Sequence, residues 1–287
     1  GTPVAVWAAE GHIQVAIDRN TSPSQDAFAH VLVSNTDPPV GTVDGVFRGY
    51  DTRAVFGELD WGYLATTNNT KEIVIVDLHQ FSSPGVYQEV GSFNTTTNSG
   101  SSDGTNADTI FIYGSRGYMT AGSYLYVFDL SSHSGSRPKI GNRIQIANSG
   151  DRANEIYVRE INNSIYVFVA VEGSTVEELK IVNATNHTNS NTWRVVGQLN
   201  IEPNNCSTLE SGKAVYVNPD GTRAYVSSVN DASFKEFFTL DTSNKSSPSL
   251  VGGFATQPTC TNGGGYEAGG MDPEQSVVVS ILENRAI

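Results

Sequence analysis

Along most of this chain one pattern returns every fifty to sixty residues. A short apolar strand is followed by a second that ends in Asp or Asn, at Asp77, Asp129, Asn183 and Asp241. A polar turn, marked by Pro84, Pro138 and Pro248 in three copies, leads to a glycine at Gly91, Gly141, Gly197 and Gly252. Proline cannot donate to a ladder and so belongs at strand edges and turns. A further apolar run precedes each copy, at 54–56, 110–113, 156–158 and 214–217. Four short strands per repeat predict an all-β chain built as a β-propeller of four-stranded antiparallel blades.

The runs are short, β-branched or aromatic, and bounded by Gly, Asn, Asp and Ser, which argues against a helical solenoid. Ile73-Val74-Ile75-Val76 is continuous rather than alternating and so is expected to be buried on both faces. The whole chain, 1–287, reads as one propeller domain. Its approximate blades are 1–45 (partial), 46–95, 107–147, 153–201, 212–256 and 264–287 (partial). Residues 3–9 and 12–18 read as a second and third strand, with a fourth starting at Pro39-Val40-Gly41. Residues 266–271 and 276–282 read as a first and second strand. Five or six blades fit, with a terminal blade that is composite or open.

Net charge is −13. That disfavours nucleic acid and anionic membrane surfaces, both polyanionic. No apolar run approaches the roughly 20 residues of a bilayer span, so no membrane insertion is expected from this segment. Gly1-Thr2-Pro3 does not open a signal peptide.

Asn-x-Ser/Thr sequons start at Asn20, Asn68, Asn94, Asn162, Asn183, Asn186, Asn205 and Asn244. They are glycosylation candidates, although a chain rich in Asn, Ser and Thr also makes such tripeptides by chance. Cys206 and Cys260 lie one repeat apart, at matching places on adjacent blades. A disulfide between them would fit an oxidising compartment.

Catalytic motifs are missing: no nucleophile elbow, no dinucleotide fingerprint, no histidines at metal-ligand spacing. The five histidines read as solvated residues at turns or edges. The remaining constellation is acidic. Asp51, Asp108, Glu155 and Glu267 fall at or near the first strand of four units, with Lys213 in a similar place in another. Such a ring could line a wet channel, hold Ca²⁺ through oxygen ligands, or supply acid–base chemistry. No other cofactor is expected. Asp108, Glu155 and Glu267 are the metal candidates, and no residue is assigned as catalytic.

Lys71–Leu78 with Ser83-Pro84 and Val90-Gly91-Ser92 resembles the LVIVD-type propeller repeat, as does Phe234–Leu240 with Ser247–Gly252. Gly265–Pro273 and Glu283–Ile287 resemble segments of pilin-like bacterial surface proteins that carry such propellers. The resemblance implies a cell-surface structural or adhesive role without enzymatic residues. Sequence therefore points first to an extracellular, glycosylated, non-enzymatic propeller that self-associates or meets other surface proteins, as in a filament. The alternatives are a carbohydrate-binding module, with Trp61, Tyr63 or Trp193 exposed at one rim, and a lactonase- or glycosidase-type hydrolase using channel carboxylates.

Overall fold

The computed structural model describes residues 1–9, 11–18, 24–96, 106–173, 177–186, 190–201, 210–230, 234–254, 281–282 and 285–286. Cys206, Cys260, Asn20, Asn205, His187 and Glu267 lie outside these residues. The described residues form strands and turns, with one 3-10 turn at Ser190–Thr192. None of them forms a helix long and apolar enough to cross a membrane.

Five antiparallel four-stranded meanders follow one another, which is the blade arrangement of a β-propeller. The first is β1 (Thr2–Ala9), β2 (His12–Asp18), β3 (Asp26–Val33) and β4 (Gly41–Arg48). The second is β5 (Thr52–Gly57), β6 (Trp61–Thr66), β7 (Ile73–Ser83) and β8 (Val86–Phe93). The third is β9 (Thr109–Tyr113), β10 (Arg116–Ala121), β11 (Tyr124–Asp129) and, after the short strand β12 (Gly135–Arg137), β13 (Ile144–Gln145). The fourth is β14 (Arg152–Ile161), β15 (Ser164–Glu172), β16 (Leu179–Asn183) and β17 (Arg194–Leu199). The fifth is β18 (Glu210–Val217), β19 (Arg223–Asn230), β20 (Phe234–Asp241) and β21 (Ser249–Phe254). A short pair, β22 (Ile281–Leu282) and β23 (Arg285–Ala286), follows.

The N-terminal segment differs from its reading as a partial blade. Asp26–Val33 supplies an additional strand, so four strands stand where a second, third and fourth were expected. Small residues and a buried histidine interrupt its apolar pattern, which hid it. By packing, the chain divides into two compact units: Gly1–Ala121 with Tyr126–Asn142, and Gly122–Leu125 with Arg143–Ile287.

In the first unit Phe28, Leu64, Val74, Val76 and Tyr87 form a core cluster. The run Ile73–Val76 is fully buried, as its lack of alternation predicts. In the second unit Phe168, Ile181, Val217, Val226 and Leu240 play the same part.

The repeat glycine has a concrete cause. A Cβ on Gly91 would run into the carbonyl oxygen of His133, and one on Gly197 into that of Lys245. His133 and Lys245 each lie four residues past the aspartate that ends a third strand, Asp129 or Asp241. The turn after that aspartate thus rests its backbone on the outer strand of the preceding blade, where only glycine leaves room.

Buried acids repeat as well. Glu72, just before β7, accepts from Thr95 N and Thr95 Oγ1, each at 3.2 Å. Glu178, just before β16, accepts from Ile201 N at 2.7 Å. Each carboxylate ties the chain leaving the fourth strand to the start of the third, and so supplies an acceptor to a buried N–H.

Candidate functional site

The site grows from a repeated irregularity. Register shifts in β5, β14 and β18 leave Arg53, Asn154 and Lys213 as extra residues at corresponding places. A bulge of this kind re-aims a side chain. All three reach across to a neighbouring blade. Arg53 Nη1 meets Asp108 Oδ1 at 2.7 Å. Asn154 Nδ2 donates to Gly212 O at 2.7 Å and to Glu172 Oε2 at 3.0 Å. Lys213 Nζ meets the same Glu172 oxygen at 2.6 Å.

The residue after each bulge is Ala54, Glu155 and Ala214, and β1 places Ala5 after its own bulge. Glu155 thus stands where three other first strands carry alanine. Its Oε2 accepts Val215 N of β18 at 3.2 Å. The residue keeps some exposed surface, yet its carboxyl is enclosed by protein. Burial pushes that carboxyl up to about 8, against the pull of the Val215 N–H. At neutral pH Glu155 is therefore a protonated acid, able to donate.

Glu172 is pulled the other way. Burial pushes it up, but the Lys213 ammonium and the Asn154 amide outweigh this, with Arg152 adding to them, and hold it below the ordinary carboxylate range. Further along the same strands Tyr157 of β14 and Tyr216 of β18 meet edge to face at 4.9 Å. Arg159 Nη2 donates to Tyr157 OH at 2.8 Å and to Val217 O at 3.0 Å.

The first unit uses the same strand positions differently. Trp7, Phe56 and Phe111, on β1, β5 and β9, pack as an aromatic cluster with centroids 4.1 and 4.9 Å apart for Trp7–Phe56 and Phe56–Phe111. Asp108, expected among channel acids, is instead neutralised by Arg53, its side chain only 5% exposed. In strand register Asp108 aligns with the bulge residues and Glu155 with the position after them. No cluster of three His, Cys, Asp or Glu that could hold a metal occurs among the described residues.

The aromatic rim also differs from expectation. Tyr63 and Trp193 are buried. Trp61 is half-buried and stacks on the His133 ring at 4.3 Å. Trp193 instead lines a depression of about 400 Å³ with Asn183, Asn186 and Arg194. The histidines are not all solvated either: His30 is 3% exposed and hydrogen-bonded to His12 and Tyr87.

Four sequon asparagines have a structural role. The Oδ1 atoms of Asn68, Asn94, Asn183 and Asn244 accept both the N–H and the hydroxyl of the Thr or Ser two residues on. Asp129–Ser131 and Asp241–Ser243 close, with aspartate, the turn that Asn183 closes in the fourth blade. Asn162 is exposed and, with Asn163, adopts positive φ (51° and 60°) in the tight β14–β15 hairpin. Asn186 is exposed and accepts from Trp193 Nε1 at 2.7 Å through its carbonyl.

Sequence reading missed Glu172, Asn154, the two clamp glutamates and the His30 chain. Only aligning first strands by their bulges shows the alanine column that Glu155 breaks.

No family model matches the chain, and no curated protein matches it. The LVIVD resemblance therefore rests on its motif residues. Solved structures are similar in fold. A protein from Lactobacillus plantarum shares 14% identity at a TM-score of 0.64, covering 88% of this chain and 71% of that one. A periplasmic gluconolactonase from Pseudomonas aeruginosa shares 8% at 0.63, covering 89% and 72%. A protein assigned as a 6-phosphogluconolactonase from Bacteroides uniformis shares 10% at 0.61, covering 90% and 72%. At these identities the likeness establishes the fold: the chain is an all-β propeller of four-stranded antiparallel blades.

Proposed function

We propose that this propeller is a hydrolase of the lactonase type, with Glu155 as its acid and Glu172 as its base. The observation that carries this reading is the enclosed, protonated Glu155 at a position where three other first strands make do with alanine. Alanine is sufficient for the strand, so the carboxyl is retained at a desolvation cost the fold does not require. Two carboxyls driven apart in acidity are a general acid–base pair. Glu172, held ionised by Lys213, takes a proton from water. That water's oxygen bonds to the lactone carbonyl carbon. The ring C–O bond breaks, and its oxygen takes the proton of Glu155, leaving a hydroxy acid. Solvent returns the proton from Glu172 to Glu155. The fold shared with a gluconolactonase and a protein assigned as a 6-phosphogluconolactonase supports lactones as the first substrates to test.

The test is a screen of sugar lactones and aryl glycosides with the wild type and Glu155→Gln. Hydrolysis that falls as pH rises through about 8, and is lost in the variant, supports the assignment. Equal rates in the two proteins, or none in the wild type, would remove it.

A second reading keeps the propeller extracellular and non-enzymatic, with a protein partner or a second copy. Leu250 and Val251, 50% and 56% exposed on the edge strand β21, favour it, since exposed apolar residues at a sheet edge invite pairing. In that reading the exposed sequons Asn162, Asn186 and Asn244 carry glycans and Cys206 pairs with Cys260. Intact mass of natively purified protein, with and without reductant and glycosidase, tests it.

A further inference from the structure

In the first unit, side chains from four strands form one hydrogen-bonded chain. His12 Nδ1 of β2 lies 2.9 Å from His30 Nε2 of β3. His30 Nδ1 lies 2.9 Å from the hydroxyl of Tyr87 on β8. That hydroxyl donates to Asp44 Oδ2 of β4 at 2.6 Å. His30 and Tyr87 are buried, at 3% and 1% exposed, whereas His12 and Asp44 reach solvent.

The direction of every bond follows from the carboxylate end. Asp44 can only accept, so Tyr87 donates to it and must accept from His30. His30 therefore carries its proton on Nδ1, and its Nε2 offers a lone pair. His12 must then donate from its own Nδ1. Both neutral rings are Nδ1–H tautomers.

The local backbone is shaped around this chain. A register shift between His30 and Val31 leaves Asp44 as the extra residue on β4. Next to it, a Cβ on Gly45 would come within 2.6 Å of the Tyr87 ring. The His12 and His30 rings are nearly parallel (5°), with centroids 5.1 Å apart. The same spot joins two meanders: Val46 of β4 pairs in parallel with Val86 of β8, and Val46 N donates to Gly85 O at 2.9 Å.

We propose that His12, His30, Tyr87 and Asp44 form an acid-sensitive latch on the β4–β8 seam. It holds while His30 is neutral and opens when both imidazoles carry a proton. A proton on His12 Nε2 leaves the His12–His30 bond intact. A proton on His30 as well must take the lone pair of His30 Nε2, which is the acceptor of that bond. Two donors then face each other, and two adjacent rings are both cationic.

The groups facing His30 are His12 from β2, Asp44 from β4, His79 from β7 and Tyr87 from β8. Burial and His12 hold His30 below the ordinary imidazole value, Asp44 opposes them, and His79 adds to the lowering. The fold therefore prefers neutral His30. Its contribution is complete above about pH 6.5 and is lost as pH falls below that value.

The test is histidine-labelled NMR and amide exchange on the full chain. At pH 8 both His12 and His30 should report the Nδ1–H tautomer. Below about pH 6.5 the protection of the Val46 amide, relative to chemical exchange, should fall about tenfold per pH unit, because opening takes up one proton. His12→Ala leaves room for a proton on His30 Nε2 and should abolish that fall. Tyr87→Phe removes the hydroxyl that bridges His30 and Asp44, leaving only the direct 3.5 Å approach of His30 Nδ1 to Asp44 Oδ2, and should lower Val46 protection at pH 8. An Nε2–H tautomer at His30, pH-independent protection in the wild type, or an undiminished acid loss in His12→Ala would overturn the proposal.

Discussion

The first strands of the two units share one backbone plan and differ in chemistry. In the first unit Trp7, Phe56 and Phe111 pack together, alanine follows the bulges of β1 and β5, and Arg53 neutralises Asp108. In the second unit the aromatic position is tyrosine, at Tyr157 and Tyr216, and Glu155 follows the bulge of β14. Around it Lys213 and Asn154 converge on Glu172. The scaffold needs a bulge, an alanine-sized residue and an aromatic ring. What departs from that plan in the second unit is what the scaffold does not need, and there function is to be sought.

The sharpest way to break this contrast is at Glu155. Glu155→Gln removes the acid while keeping the shape, and hydrolysis should fall by about 10²–10⁴-fold. The same variant should alter stability in a defined direction. Glu155 holds its proton in the fold up to about pH 8, whereas an unfolded chain releases it near 4.5. Between those values the unfolded state binds fewer protons, so wild-type stability should fall as pH rises, by up to about 1.4 kcal/mol per unit. Denaturant melts at several pH values should show that fall in the wild type and its absence in Glu155→Gln.

The converse substitution asks whether the first unit would accept such an acid. Ala54→Glu places a carboxyl beside an aromatic cluster without an equivalent of Glu172 and Lys213. It should cost about 1–3 kcal/mol at neutral pH, for want of a partner. Glu155→Ala should be tolerated by the fold.

Smaller effects test the features the units share. Gly197→Ala drives a methyl into the carbonyl of Lys245 and should cost about 1–3 kcal/mol. Gly252, whose Cβ would meet nothing within 4 Å, is the control. Asn183→Asp should change stability by no more than about 0.5 kcal/mol, since Asp129 and Asp241 already close that turn in other blades.

The repeat was legible because it is a backbone requirement. The aspartates or asparagine ending third strands, the glycines under the following turn, and the buried run Ile73–Val76 recur for reasons of geometry. Asp26–Val33 was not legible, because its buried polar residue, His30, is satisfied only by partners distant in sequence. The site was half legible. Glu155 and Lys213 stood out as charges near first strands. Glu172 lies at the end of β15, and Asn154 is an uncharged bulge residue. Their meeting depends on two register shifts that leave no mark in composition. At Asn68, Asn94, Asn183 and Asn244 the sequon is also the sequence of a self-closing turn.

The proposed chemistry depends on one protonation state. Carboxyl-carbon NMR of selectively labelled glutamate, with Glu155→Gln to assign the resonance, measures it directly. The Glu155 carboxyl should titrate near 8, pushed up by burial. Titration near 4.5, the ordinary glutamate value, would contradict it, because Glu155 would then have no proton to give at neutral pH.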